Sequence, residues 1–302
     1  MHQKPTNSFY RSKRSAVMML LLAVVLLGGL LFPASHWAHQ QTTGLRQRYN
    51  SKLSPVIMIP GSSATQNRFD DLVKILNSHG NKKHSLLKVK VYNDHRITYE
   101  GKIRPGDNEA IIVVGFENNK DGWENIQKQA YYFHLAFDQL SERYKFNNFK
   151  GIGHSNGGLI YATFLEKYFT DDDIVCKKLM TIASPFNFSE KSIAHKTQML
   201  AYLIDHRQKL PADMTVYSLA GTESYESDGL VPEGSVRAGK YIFQKQVAHF
   251  TEITVTGEGS QHSDLPQNKQ IVQYIQQYIL DLDHGFGRPN GPNVADNDSH
   301  SN

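Results

Sequence analysis

The chain has 302 residues, 39% hydrophobic and 21% charged, which are the proportions of a folding globular protein and exclude wholesale disorder. Its formal charge of +4 is unevenly placed: eight Lys and Arg precede the first acid, Asp70, so the remainder is mildly acidic. No basic footprint or Lys/Arg interleaved with aromatics marks a nucleic-acid partner, and the single cysteine, Cys176, excludes an internal disulfide and a thiolate metal cluster.

Residues 1–14 carry four cations and no acid. From Ser15 to Ala34 the sequence SAVMMLLLAVVLLGGLLFPA holds no charge, and twenty residues of helix match a bilayer's hydrocarbon core. The flanking cations favour a cytoplasmic amino terminus. The run exceeds the usual 7–15 apolar residues of a signal peptide, and His36 and Trp37 spoil the cleavage site. It therefore reads as a single-pass signal anchor, with secretion after cleavage as the alternative; both put the body outside the cytoplasm. Residues 35–53 are polar and aperiodic, as suits a linker.

The body is expected over 54–283. SPVIMIPGSSAT reads as a buried strand broken by Pro60 and Gly61, followed by a helix with Phe69, Leu72, Val73, Ile75 and Leu76 inward and Gly80 as its stop. Alternation around Val89 and Val91, with a turn near Asn93 and Asp94, predicts a hairpin-like strand pair. EAIIVVGF is a β-branched run of the kind covered on both faces. Ile126, Ala130, Phe133, Phe137, Leu140 and Tyr144 then form one helical stripe.

FKGIG supplies the next strand and NGGLIYATFLEKYF the next helix. IVCKKLMTIAS, MTVYSLAG and FTEITVTG read as further strands, and Ile271, Ile275, Ile279 and Leu282 as the buried row of a last helix. Residues 184–213 interrupt the alternation and read as a small cap, while 284–302 are rich in Gly, Pro, Asn, Asp and Ser and read as a disordered tail. Alternating strands and helices imply an α/β fold: a mostly parallel central sheet with helices on both faces.

Gly153-His154-Ser155-Asn156-Gly157 is a G-x-S-x-G pentapeptide on a strand–turn–helix. In that setting the turn lifts the serine oxygen out of the sheet, and the glycines avoid collisions within it. A serine hydroxyl needs a base before it can attack, so Ser155 requires a histidine. His262 lies between the strand FTEITVTG and the last helix, whereas His249 sits in a strand approach and His195 and His206 in the cap. Asp228, in the loop after MTVYSLAG, is the candidate acid that orients the imidazole, with Asp205 and Asp264 as substitutes. Backbone N–H groups of Asn156 and Ser62, in the Pro60–Ser63 loop, are the candidate oxyanion donors.

PVIMIPGSSAT, GIGHSNGG, SDGLVP and SQHSDLP together resemble the α/β-hydrolase superfamily. The resemblance is closer to the cell-surface hydrolases of Gram-positive bacteria grouped as a domain of unknown function, and covers roughly Ser54 to Leu282. It implies an α/β-hydrolase fold and carboxylesterase-like action on a small-molecule or lipid-like ester, with no metal or organic cofactor. Pro60 departs from the His-Gly that many relatives carry at the oxyanion loop. Lipase, thioesterase or peptidase specificity, or a surface binding module without turnover, are the competing readings. Phe186, Phe188, Met199, Leu200, Tyr202 and Leu203 suggest either an acyl pocket or ordinary packing.

Overall fold

The computed structural model describes residues 16–22, 25, 29, 44–80, 82–170, 172–224 and 226–280. The chain divides into two compact units, Met1–Ser51 and Lys52–Asn302. In the first, residues 16–22 and 44–49 are helical, and the side chains of 16–22 are exposed. No helix among the described residues is long and apolar enough to cross a membrane. Residues 1–14, most of 15–34 and the tail 284–302 lie outside the described residues.

In the second unit the apolar runs become eight strands of one sheet. They are β1 (Val56–Ile59), β2 (Leu86–Val91), β3 (Ile97–Gly101), β4 (Ile111–Phe116), β5 (Asn148–His154), β6 (Val175–Ile182), β7 (Thr215–Thr222) and β8 (His249–Thr256). Their order across the sheet is β3-β2-β4-β1-β5-β6-β7-β8. Only the β2–β3 pair, the expected hairpin, is antiparallel, with Val89 opposite Tyr99. The other pairs are parallel, so the carboxyl ends of β1 and β4–β8 share one edge.

β1 shows why the sheet must be sandwiched. Val56 and Met58 join one apolar cluster and Ile57 and Ile59 another, because successive side chains leave a strand on opposite faces. One face is covered by α1 (Asp70–His79) through Leu72, Val73 and Leu76, and by α7 (Lys269–Tyr274) through Ile271. The other is covered by α2 (Trp123–Tyr144), α3 (Asn156–Lys167) and α4 (Gln198–His206). Phe133 of α2 packs edge-on against Tyr161 and Phe164 of α3, with ring centroids 5.1 and 4.5 Å apart.

Two short helices, α5 (Glu233–Arg237) and α6 (Lys240–Phe243), fill the β7–β8 crossover, which sequence periodicity did not reveal. Four or five residues are too few to display a 3.6 repeat. The final helix also differs from expectation: α7 ends at Tyr274 and widens into a π-helical turn over Ile275–Ile279. Leu282 lies outside the described residues.

Candidate active site

β5 runs through FKGIGH, and at its carboxyl end the backbone must reverse at once into α3. The reversal is concentrated in Ser155, whose φ of 54° and ψ of −127° are strained for a residue with a Cβ. Ser155 N–H donates to the Ile182 carbonyl at 2.8 Å, tying the turn to the end of β6. Gly157 of the pentapeptide and Gly61 of the loop after β1 show how closely these segments pass. A Cβ on Gly157 would collide with the Ile59 carbonyl oxygen of β1, and one on Gly61 would lie 2.6 Å from the Ser155 Cβ. The loop after β1 therefore lies directly against the serine.

That loop presents Ser62 to the same cavity as Ser155 and Asn156. Asn156 opens α3, so its backbone N–H has no intrahelical acceptor. Among the described residues, neither this N–H nor that of Ser62 donates to a backbone acceptor. Both thus remain available for an oxygen that develops charge. The Asn156 side chain has a second role that the motif did not reveal: its Nδ2 donates to Asp121 Oδ1 at 2.8 Å.

Asp228 follows β7 and His262 follows β8, so both loops emerge at the sheet edge where Ser155 stands. His262 Nδ1 lies 2.7 Å from Asp228 Oδ2. The other carboxylate oxygen accepts the backbone N–H groups of Leu230 at 3.0 Å and Val231 at 2.7 Å. His262 N–H closes the loop pair by donating to the Asp228 carbonyl at 2.9 Å. Asp228 is 1% exposed and His262 is buried. With a carboxylate facing Nδ1, the proton sits on that nitrogen and the Nε2 lone pair is free to act as a base.

His154, the unspecified second residue of the pentapeptide, joins the two halves of the site. Its Nε2 contacts the His262 carbonyl at 3.1 Å, and the two rings lie 4.9 Å apart between centroids. Burial, then the neighbouring His262 and Arg68, pushes its pKa well below the usual imidazole value. His154 is therefore neutral, with its single proton on Nε2, since a carbonyl can only accept. It anchors the histidine loop to the residue preceding Ser155. Ser155 Oγ makes no hydrogen bond among the described residues.

The alternative residues lie elsewhere. Asp205, Asp264, His195 and His249 are exposed, and His206 Nδ1 faces the Tyr202 carbonyl at 2.8 Å one turn back in α4. Cys176 is buried, with its Sγ 3.4 Å from Met214 Sδ, and burial pushes its thiol pKa up. Among the described residues no group of three or more His, Cys, Asp and Glu could hold a metal ion.

A cavity of about 510 Å³ opens onto Ser155. Among the described residues it is lined by the polar Ser62, Asp121, Asn156 and Ser189, by Gly122, and by the apolar Pro185, Phe188, Leu230 and Val231. Of the apolar residues noted within 184–213, Phe188 alone lines it. Phe186, Met199, Leu200 and Leu203 are buried in the core against the sheet, and Tyr202 packs on Trp123 at 5.3 Å.

The parallel sheet, the serine at the β5–α3 turn, and the acid and histidine after β7 and β8 define an α/β-hydrolase fold. The chain belongs to the family described as alpha/beta hydrolase of unknown function (DUF915), whose model matches residues 44–281. A Lactobacillus plantarum protein named as a cell surface hydrolase is 55% identical, with a TM-score of 0.70 over 76% of this chain and 92% of that one. A Listeria innocua gene product is 26% identical, with a TM-score of 0.69 over 76% of this chain and 96% of that one. No curated protein matches the chain.

Proposed function

We propose that the protein is a serine hydrolase of carboxylic esters, with Ser155 as nucleophile, His262 as general base and Asp228 as the acid that orients it. The observation that carries this reading is the 2.7 Å contact between His262 Nδ1 and Asp228 Oδ2, made at the sheet edge that also bears the strained Ser155. Ser155 Oγ attacks the ester carbonyl carbon while His262 Nε2 takes its proton. The tetrahedral oxyanion is held by the Ser62 and Asn156 N–H groups. The carbon–oxygen bond to the alcohol breaks as His262 returns the proton to the leaving oxygen. Water, deprotonated by the same histidine, then attacks the acyl-serine, releases the carboxylic acid and restores Ser155. The chemistry needs no cofactor.

An extracytoplasmic location, tethered through residues 15–34, is supported by the uncharged run, the preceding cations and the similarity to a protein named as a cell surface hydrolase. The domain limits 54–283, with a cap over 184–213, rest on the sequence pattern. The catalytic reading is tested with a fluorophosphonate probe and p-nitrophenyl acetate. The wild type is expected to be labelled and to turn over ester, and Ser155→Ala to do neither. Equal labelling of the two proteins would sink the assignment of the nucleophile.

A further inference from the structure

Among the described residues, the only lining residue of the cavity with an acidic or basic side chain is Asp121. Its Oδ1 is occupied, accepting Asn156 Nδ2 at 2.8 Å and its neighbour Gly122 N–H at 2.7 Å. Asp121 enters no ion pair among the described residues and is exposed. Its charge is therefore held beside the nucleophile's neighbour without a protein counter-charge. Lys120, next to it along the chain, does not line the cavity.

The other described lining residues are of another character. Leu230 is 71% exposed yet lines the cavity, and Phe188 and Val231 line it too. The complement to a cavity lined by one carboxylate and by apolar and aromatic side chains is a cation with hydrocarbon substituents. Its charge meets Asp121, its alkyl groups cover Leu230 and Val231, and the Phe188 ring face attracts the same cation. An anionic substrate meets repulsion at that position.

We propose that this cavity selects esters carrying an alkylammonium group, and that Asp121 is the residue that determines the preference. The inference rests on the ester-hydrolase reading for its site and deepens it by naming a substrate class. Asp121→Asn keeps the shape and an oxygen for Asn156 while removing the charge. The decisive comparison is butyrylcholine against 3,3-dimethylbutyl butyrate, its uncharged isostere, by kcat/KM at low ionic strength. The wild type is expected to favour the cationic ester about five- to tenfold, the variant to show a ratio near one, and high salt to erode the preference.

A wild type indifferent to the charge, or an Asp121→Asn enzyme that retains the preference, overturns the proposal. Were Asp121 merely a clamp between Asn156 and the start of α2, both esters would slow together and the ratio would persist. Ligand-observed NMR with tetraethylammonium separates this proposal from the ester-hydrolase reading. Saturable binding lost in Asp121→Asn supports the cation subsite even where no ester is hydrolysed. Absence of binding to the wild type overturns it even where esters are turned over.

Discussion

Replacing Asp228 by Asn tests the tautomer argument most severely, because the structure fixes which way the amide must face. Asp228 Oδ1 accepts two backbone N–H groups, from Leu230 and Val231, while Oδ2 faces His262 Nδ1. An asparagine that keeps its carbonyl oxygen on the loop turns its NH₂ toward Nδ1. That nitrogen must then accept, the imidazole proton moves to Nε2, and the Nε2 lone pair on which the proposed base depends is lost. The flipped amide would restore the tautomer but set its NH₂ against the buried Val231 N–H and the partly buried Leu230 N–H. At about 1–3 kcal/mol for an unsatisfied buried donor, the Val231 clash alone disfavours that orientation by about that amount.

The expected result is a fall in kcat of about ten-thousand-fold, or about 5 kcal/mol of barrier, with the fold intact. The assay is p-nitrophenyl acetate turnover beside a thermal melt. A variant that melts normally and keeps more than about a hundredth of wild-type kcat would refute the role assigned to Asp228.

Two further predictions concern ionisable groups that the fold has buried. Lys150 of β5 pairs with Glu109, both 1% exposed by side chain, and Lys82 Nζ reaches the same carboxylate at 3.3 Å. Glu109→Gln and Lys150→Met are each expected to cost about 3–5 kcal/mol, and Glu109→Leu with Lys150→Met to fall within about 2 kcal/mol of wild type. Urea denaturation measures all three, and additive losses would contradict the argument. Glu166 of α3 is buried with neither carboxyl oxygen partnered, and burial, opposed by Lys209, pushes its pKa from 4.5 up to about 9. Between those values the folded chain holds a proton that the unfolded chain releases, so this stability is whole below pH 4.5 and lost as pH rises toward 9. Glu166→Gln should gain about 2–4 kcal/mol on wild type between about pH 5 and pH 8; parallel stability curves would exclude the effect.

Much of the fold was legible because its signals are local. The β-branched run of β4 and the single stripe of α2 need no partner to be recognised, since burial on two faces or one dictates the residue pattern. The pentapeptide at Ser155 was legible for a steric reason, as a side chain at Gly157 would strike β1. Asp228 and His262 could be placed after their strands by order along the chain. The helices α5 and α6 escaped because they are shorter than a usable period.

The sequence by itself determined the eight strands, the longer helices and the chain order in which Ser155, Asp228 and His262 follow β5, β7 and β8, because covalent order and local sterics already contain that information. Only the tertiary structure decided the partners. It brought Asp121 to Asn156 across 35 residues and His154 to the His262 carbonyl across 108, and it left Phe188 at the cavity while sinking Phe186 and Met199 into the core. Charge, hydrogen-bond geometry and burial depend on distance in space. Contacts between segments far apart along the chain leave no periodic trace in either one.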